Sequence, residues 1–161
     1  MPGTLSEQTL LEKQAQPDRP VLTQELAGDL IRAAQEVRER AYAPYSRYKV
    51  GAALLSADGK IYSGCNVENA SFPVTICAER GALASALAQG ERAFTAIAIV
   101  AGHEDEGTQA AWPTPCGMCR QALREFAAPD SFLVILAKSP EEYRVLTLEE
   151  LLPESFGPEN L

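Results

Sequence analysis

Three cysteines and a glutamate form the strongest chemical pattern in the chain. Cys116 and Cys119 belong to PCGMC, where the second cysteine lies about one helical turn beyond the first, so both sulfurs can face one point. Cys77 opens CAER, and Cys77 and Cys116 each stand at the N-terminus of a predicted helix, where free amides and the helix dipole favour thiolate over thiol. Three thiolates predict one bound zinc ion with its fourth position open to water, as in catalytic rather than structural sites.

Glu79 follows Cys77 by two residues, close enough to reach a water on the metal without being a ligand itself. Zinc can lower the pKa of bound water from about 15.7 to about 7, so a nearby carboxylate need only move a proton. We therefore predict that Glu79 is a proton shuttle. Arg80 and Arg120 each adjoin a cysteine and would offset the negative charge of three thiolates. For Arg120, an exposed helix face is an equally good interpretation.

Other interpretations of the cysteines and of the single histidine remain open. A C-x-x-C pair also serves thiol–disulfide exchange, but that chemistry expects a thioredoxin-like context and leaves Cys77 and Glu79 unused. Cys65 could close a structural four-cysteine site, although a small buried apolar side chain is the favoured interpretation. His103 follows a predicted strand in a polar loop, and we expect it at the surface.

The elements that must position these residues alternate between helices and strands. Helical spacing of apolar residues predicts a first helix within 22–43, capped by Thr23 and stopped by Pro44. Two strands are predicted on either side of the turn Asp58-Gly59. Further helices are predicted over 77–90, over 115–127 and after 147, and further strands over 94–102, 131–138 and 142–147. This order predicts an α/β fold, a three-layer α/β/α sandwich around one mixed sheet.

Composition limits the possible partners and compartments. The 161 residues, 46% of them hydrophobic, are enough for one domain, which we place at 21–161 behind a mobile tail at 1–20. A formal net charge of -8 argues against a nucleic acid partner. No apolar run approaches 18 residues and no export pattern is present, so we expect a cytoplasmic protein without membrane contact. In that compartment a cysteine group indicates metal or catalysis rather than disulfides.

Taken together, the motifs resemble one family of enzymes. CAE followed by PCGMC is similar to the zinc nucleobase and nucleoside deaminases. From YAPYSRYKVGAALL through GCNVENA, CAER and PCGMCRQ to LLPESFGPENL, the chain resembles the small homotetrameric cytidine deaminases over nearly its whole length, the tail excepted. The resemblance implies pyrimidine salvage, namely hydrolytic deamination of cytidine and 2'-deoxycytidine to uridine and 2'-deoxyuridine with release of ammonia. It also implies one zinc ion per chain and a homotetramer.

The resemblance assigns roles to individual residues. It gives the zinc-ligand positions to Cys77, Cys116 and Cys119. Glu79 takes the general acid/base position, and Arg80 the position that donates to the ligand sulfurs. Glu79 would then protonate N3 of the ring and pass a proton to the departing amine.

Further positions match contacts to the nucleoside. Asn66 and Glu68 match a pair that holds the ribose 3'-hydroxyl, and two residues two apart on a strand face the same side. Tyr48 stands where the family usually has a phenylalanine packed on the pyrimidine ring, and Ala78 is assigned to the same substrate-binding group. Phe72 and Phe156 match two aromatic positions that reach the site of a neighbouring subunit. The rival interpretation is that both side chains belong to the hydrophobic core of their own chain.

Three other functions stay in competition. A related deaminase could act on the nucleotide or on a cytosine-containing antibiotic. A structural zinc module would need Cys65 as the fourth zinc ligand, and Glu79 would then have no function at the site. An editor of single-stranded nucleic acid is disfavoured by the acidic charge and by the lack of a basic stripe.

Overall fold

A computed structural model describes residues 21–105 and 111–161, so the predicted tail at 1–20 lies outside the described residues. The helices are α1 (Gln24–Arg38), α2 (Ala78–Ala88), α3 (Gly117–Arg124) and the short α4 (Leu148–Leu151). The strands are β1 (Tyr48–Ser56), β2 (Ile61–Cys65), β3 (Phe94–His103), β4 (Leu133–Ala137) and β5 (Tyr143–Thr147). Single 3₁₀ turns cover Phe72–Val74 and Pro158–Asn160. None of the helices within these residues is long and apolar enough to cross a membrane.

The five strands form one mixed sheet in the order β2-β1-β3-β4-β5. β1 runs antiparallel to β2 and to β3, and β4 runs antiparallel to β5. β3 and β4 are parallel, and a parallel pair needs a crossover connection, which α3 provides on one face of the sheet. The mixed sheet predicted from the sequence is confirmed.

The sheet has an apolar core on each face. One core joins α1 to the residues of β1, β3, β4 and β5 that point towards it, and it includes Leu30, Ile31, Leu55 and Ile135. The other core joins α2 and α3 to the opposite face and includes Leu54, Leu83, Phe94 and Leu123. Helices therefore cover both faces of the sheet, and the three-layer α/β/α sandwich is confirmed.

The first helix ends earlier than predicted, at Arg38 rather than near Pro44. Its predicted cap is confirmed, because the Thr23 hydroxyl accepts a hydrogen bond from the backbone N–H of Leu26 at 3.1 Å. The helix ends where the chain must run beside the sheet. Tyr42 bonds through its backbone N–H and carbonyl to the segment that follows β2, which holds it in an extended conformation.

Two glycines set the position of α2 against the sheet. Gly64 lies in β2 directly beneath the helix, where a Cβ atom would come within 2.2 Å of the Ala82 backbone nitrogen. At the other end, Gly90 takes a φ of 94°, a left-handed conformation that follows many helix C-termini. The helix that begins at Cys77 is thus held close to the edge of the sheet.

Candidate active site

The N-termini of α2 and α3 bring the three predicted cysteines together. Cys77 is the N-cap residue of α2 and Cys116 that of α3, and Cys119 lies in the first turn of α3. The Cys77 and Cys116 sulfurs are 3.9 Å apart, and the Cys116 and Cys119 sulfurs 3.5 Å. All three sulfurs lie within 4.8 Å of one another. Cys65 and His103 are not part of this group within residues 21–105 and 111–161.

The three sulfurs fit a zinc ion. Tetrahedral zinc with Zn–S bonds of about 2.3 Å places its sulfur ligands about 3.8 Å apart. The observed separations of 3.5 and 3.9 Å bracket that value. Zinc favours thiolate donors, and all four cysteines in the chain are free of disulfides. The donor set and its spacing therefore suit one zinc ion with three protein ligands.

The thiols of this cluster ionise unequally. A hydrogen bond with Cys119 lowers the pKa of Cys77 to about 5, and hydrogen bonds with Arg80 and Cys116 act in the same direction. The same hydrogen bond raises the pKa of Cys119 far above its usual range, because the Cys119 thiol keeps its proton as the donor to Cys77, and burial acts in the same direction. The first negative charge of the cluster is thus located on Cys77, and a cation would be needed to hold all three sulfurs as thiolates.

Glu79 lies in the first turn of α2 and is only 5% exposed. Burial raises the pKa of its carboxyl group, and the nearby charge of Cys77 adds to that effect. Glu79 lines the same cavity as Cys77 and Cys116. A carboxyl group whose pKa is raised holds a proton more readily than an ordinary one, which favours a role as a general acid and base.

The two arginines beside the cysteines lie in different surroundings. One Arg80 Nη donates to the Thr75 carbonyl at 3.1 Å, and the nearby guanidinium helps to lower the pKa of Cys77. Arg120 donates to the carbonyls of Pro115, at 2.8 Å, and Leu151. Neither of these Arg120 bonds goes to a sulfur, and the side chain joins the start of α3 to the end of α4. That Arg120 offsets the thiolate charge stays a prediction.

Asn66 and Glu68 line the same cavity, just beyond the end of β2. The Asn66 side chain is only 8% exposed, and its amide bridges the backbone of β1: it accepts from the N–H of Val50 and donates to the carbonyl of Tyr48, both at 2.8 Å. Glu68 accepts hydrogen bonds from the N–H groups of Tyr45, at 3.0 Å, and Ser46, at 3.1 Å. Hydrogen bonding with Ser46 lowers the pKa of Glu68, so the cavity wall carries an ionised carboxylate.

Tyr48 and Ala78 also line the cavity. Ala78 is fully buried at the start of α2. The Tyr48 ring packs edge-on against His103, with centroids 5.3 Å apart. The expectation of a surface histidine holds only in part, since His103 is half-buried at the end of β3 and contacts a residue of the cavity wall.

Phe72 and Phe156 are both exposed, at 69% and 60% of their surface. The rival interpretation, in which both side chains belong to the hydrophobic core of their own chain, is therefore wrong for both residues. Phe72 touches the Tyr45 ring edge-on, with centroids 5.8 Å apart. Exposed aromatic rings of this size suit contact with another protein surface.

The cavity has a volume of about 300 Å³, and part of its wall was not identified from the sequence. Ile99 and Ala101 reach it from β3, and Pro113 and Thr114 from the segment that precedes Cys116. The two strand residues carry no chemical signal, because apolar positions on a buried strand all look alike in sequence. The proximity of Pro113 and Thr114 to PCGMC was the available signal.

A match to a protein-family model shows the class of enzyme to which the chain belongs. The family model of the cytidine and deoxycytidylate deaminase zinc-binding region matches residues 24–135, more than half of the chain. The match spans all three cysteines of the cluster. The class is thus a zinc-dependent hydrolase, which takes one zinc ion per chain.

Individual relatives narrow the class to one family. The chain is 44% identical to a cytidine deaminase of Sporosarcina psychrophila over 132 residues, 82% of this chain and 92% of the relative. A cytidine deaminase of Halalkalibacterium halodurans is 45% identical over 132 residues, 82% of this chain and 95% of the relative. The crystal structure of a cytidine deaminase from Burkholderia pseudomallei superposes with a TM-score of 0.72 at 48% identity, covering 80% of this chain and 97% of that one. The chain belongs to the cytidine deaminase family.

Proposed function

We propose that the protein hydrolyses cytidine and 2'-deoxycytidine to uridine and 2'-deoxyuridine and releases ammonia. The observation that carries this proposal is a buried carboxyl group, Glu79, beside a three-thiol cluster in a cavity large enough for a small ligand. A structural zinc site would not need such a carboxyl group, and the cluster does not include Cys65 within the described part of the chain.

In this mechanism, Cys77, Cys116 and Cys119 hold the zinc ion, and Glu79 moves protons. When bound, zinc supplies Lewis acidity, which lowers the pKa of water at the site. Glu79 accepts a proton from the water that attacks C4 of the ring and delivers it to N3. The carboxylate then takes the remaining proton of the new hydroxyl group at C4 and passes it to the amino group, so that the C4 carbonyl forms as the C–N bond breaks and ammonia departs. The raised pKa of Glu79 supports this double role, because burial makes the group hold a proton more readily than an ordinary carboxyl group does.

Asn66 and Glu68 are proposed to hold the ribose. The oxygen and one N–H of the Asn66 amide are hydrogen-bonded to the backbone of β1. The second N–H of the amide is therefore the group available to a sugar hydroxyl. The Glu68 carboxylate has further acceptor capacity beside its bonds to Tyr45 and Ser46. An ionised carboxylate in the wall also disfavours a 5'-phosphate, which supports a nucleoside over a nucleotide substrate.

Tyr48 and Ala78 are proposed to contact the pyrimidine ring. Both line the cavity close to Glu79, and the aromatic ring of Tyr48 offers a face or edge for stacking. Arg80 is proposed to stabilise the thiolate ligands, in keeping with its effect on Cys77.

A homotetramer is the proposed working form. The exposed rings of Phe72 and Phe156 support it, because the removal of apolar surface from water is favourable when a second copy of the chain covers the rings. We expect light scattering to report four chains per particle. Activity from a stable monomer would refute this assembly.

A place in pyrimidine salvage in the cytoplasm is proposed as well. The reaction turns free cytosine nucleosides into uracil nucleosides, which is a recycling step. Free cysteines and a thiolate metal site suit a reducing compartment.

The experiment that tests the function measures the ultraviolet change on cytidine and the zinc content in the same sample. We expect one zinc per chain and turnover of cytidine and 2'-deoxycytidine, with much weaker turnover of cytidine 5'-monophosphate and of blasticidin. Preference for the nucleotide or the antibiotic would refute the substrate, and turnover of neither nucleoside would refute the proposed function.

A further inference from the structure

The single tryptophan of the chain, Trp112, lies immediately before two residues of the cavity wall. Trp112 packs half-buried against the core between the sheet and α2–α3. Pro113 and Thr114, which follow it, line the cavity, and Cys116 is one of the three clustered cysteines. The backbone of this segment is short, so a displacement of Trp112 would reach both the cavity wall and the thiol cluster.

Two cations lie over the Trp112 ring. The Lys138 Nζ is 4.5 Å from the ring centroid and the Arg144 guanidinium carbon 4.3 Å. Both distances are within the range of about 6 Å in which a cation is attracted to an indole face. Lys138 follows β4 and Arg144 lies in β5, so the contacts join the segment before Cys116 to the β4–β5 edge of the sheet.

The surroundings of Arg144 point to the indole as its partner. The Arg144 Nε is buried and has no hydrogen-bond partner among the described residues. Arg144 as a whole is half-buried, and a partly desolvated guanidinium without full hydrogen bonding gains more from a nearby aromatic face than an exposed one does. The Lys138 ammonium group also forms an ion pair with Glu142 at 3.2 Å.

The other end of the same segment is also fixed. The Thr114 N–H bonds to the Trp112 carbonyl at 2.9 Å, and the Arg120 Nε donates to the Pro115 carbonyl at 2.8 Å. Trp112 is therefore the anchor at the start of a four-residue connection whose end is held by α3. We propose that Trp112, held by Lys138 and Arg144, is a positioning residue that sets the cavity wall at Pro113–Thr114 and the placement of Cys116. The proposal rests on the proposed function for its substrate and its metal.

The test compares Lys138→Met and Arg144→Met with Glu142→Gln as the matched control, because the control removes the ion pair of Lys138 and leaves both ring contacts in place. We expect each methionine variant to raise KM for cytidine about 3-fold, with kcat changed less than about 2-fold. We expect each to speed the release of zinc to a chromogenic chelator by a similar factor. The control should match the wild type in both measurements.

Variants of the ring itself complete the test. Trp112→Leu should raise KM and the zinc-release rate about 10-fold, and Trp112→Phe, which keeps an aromatic face, should restore most of the loss. In the Trp112→Leu background, Arg144→Met should have no further effect, since the ring it acts through is gone. If the leucine variant does not fold, the KM values and zinc-release rates of the two methionine variants still test the positioning role of Trp112.

A merely structural role predicts a different result, in which thermal stability falls while KM and zinc release stay at wild-type values. That result in the methionine variants would overturn the proposal. If the wild type holds zinc but does not deaminate cytidine, the proposed function is refuted, while the zinc-release comparison still decides the role of Trp112. A wild-type protein that binds no zinc would refute both.

Discussion

Replacing Gly64 by alanine perturbs the contact that places α2, and with it Cys77 and Glu79, against the sheet. A Cβ atom at this position would lie 2.2 Å from the Ala82 nitrogen and 2.5 Å from the Ala78 carbonyl oxygen. Both are backbone atoms of α2, which cannot rotate away as a flexible side chain can. Restoring ordinary contact therefore requires the helix and the strand to separate by about 1.2 Å.

The size of this displacement determines the expected losses. Overpacking a close-packed interior costs about 1–3 kcal/mol, and a clash with backbone belongs at the upper end, so we expect Gly64→Ala to lower the free energy of unfolding by about 3 kcal/mol. A misplacement of about 1 Å in a catalytic group can cost about 10²-fold in rate. We expect kcat/KM for cytidine to fall by about that factor.

Gly81→Ala is the matched control. Gly81 lies in α2 opposite Gly64, but a Cβ atom there would meet its nearest neighbour at 3.5 Å, an ordinary contact. Alanine in a helix interior is favoured over glycine by about 1 kcal/mol, so the control should be as stable as the wild type or slightly more so, with similar activity. Urea denaturation at one fixed protein concentration and steady-state kinetics measure both quantities. Wild-type stability and kcat/KM in Gly64→Ala would refute the reasoning.

Three further predictions concern the metal, the proton shuttle and the C-terminal segment. Glu79→Gln should lower kcat by about 10⁴-fold or more while the zinc content stays at one per chain; near-normal turnover would eliminate the shuttle. Metal analysis should find zinc retained in Cys65→Ser and lost in Cys116→Ala; zinc loss in Cys65→Ser would contradict the three-thiolate site. Arg124→Met removes the bonds to Ser155 and Glu159 and leaves the bond from Gln121 to the Phe156 carbonyl, so KM should rise and the tetramer weaken through Phe156; unchanged KM and assembly would show that the segment does not need the Arg124 contacts.

Much of the site could be predicted from the sequence because its signals are local. The spacing of Cys116 and Cys119 within one helical turn, and the position of Cys77 at a helix start, follow from helix geometry alone. The alternation of helical and strand patterns was enough to predict a three-layer sandwich with a mixed sheet, and the structure confirms it. Glu79 was found for the same reason, since it is two residues from a ligand position.

Only the tertiary structure decided contacts between residues distant in sequence. The end of α1 at Arg38 depends on Tyr42 pairing with the segment after β2, and no helical pattern records that partner. The Asn66 amide bridges two residues of β1, and Arg120 reaches the carbonyl of Leu151, 31 residues further along the chain. Periodicity and motif spacing describe neighbours within a few residues. Which distant strand or loop faces a side chain is settled by how the sheet and its helices pack as a whole.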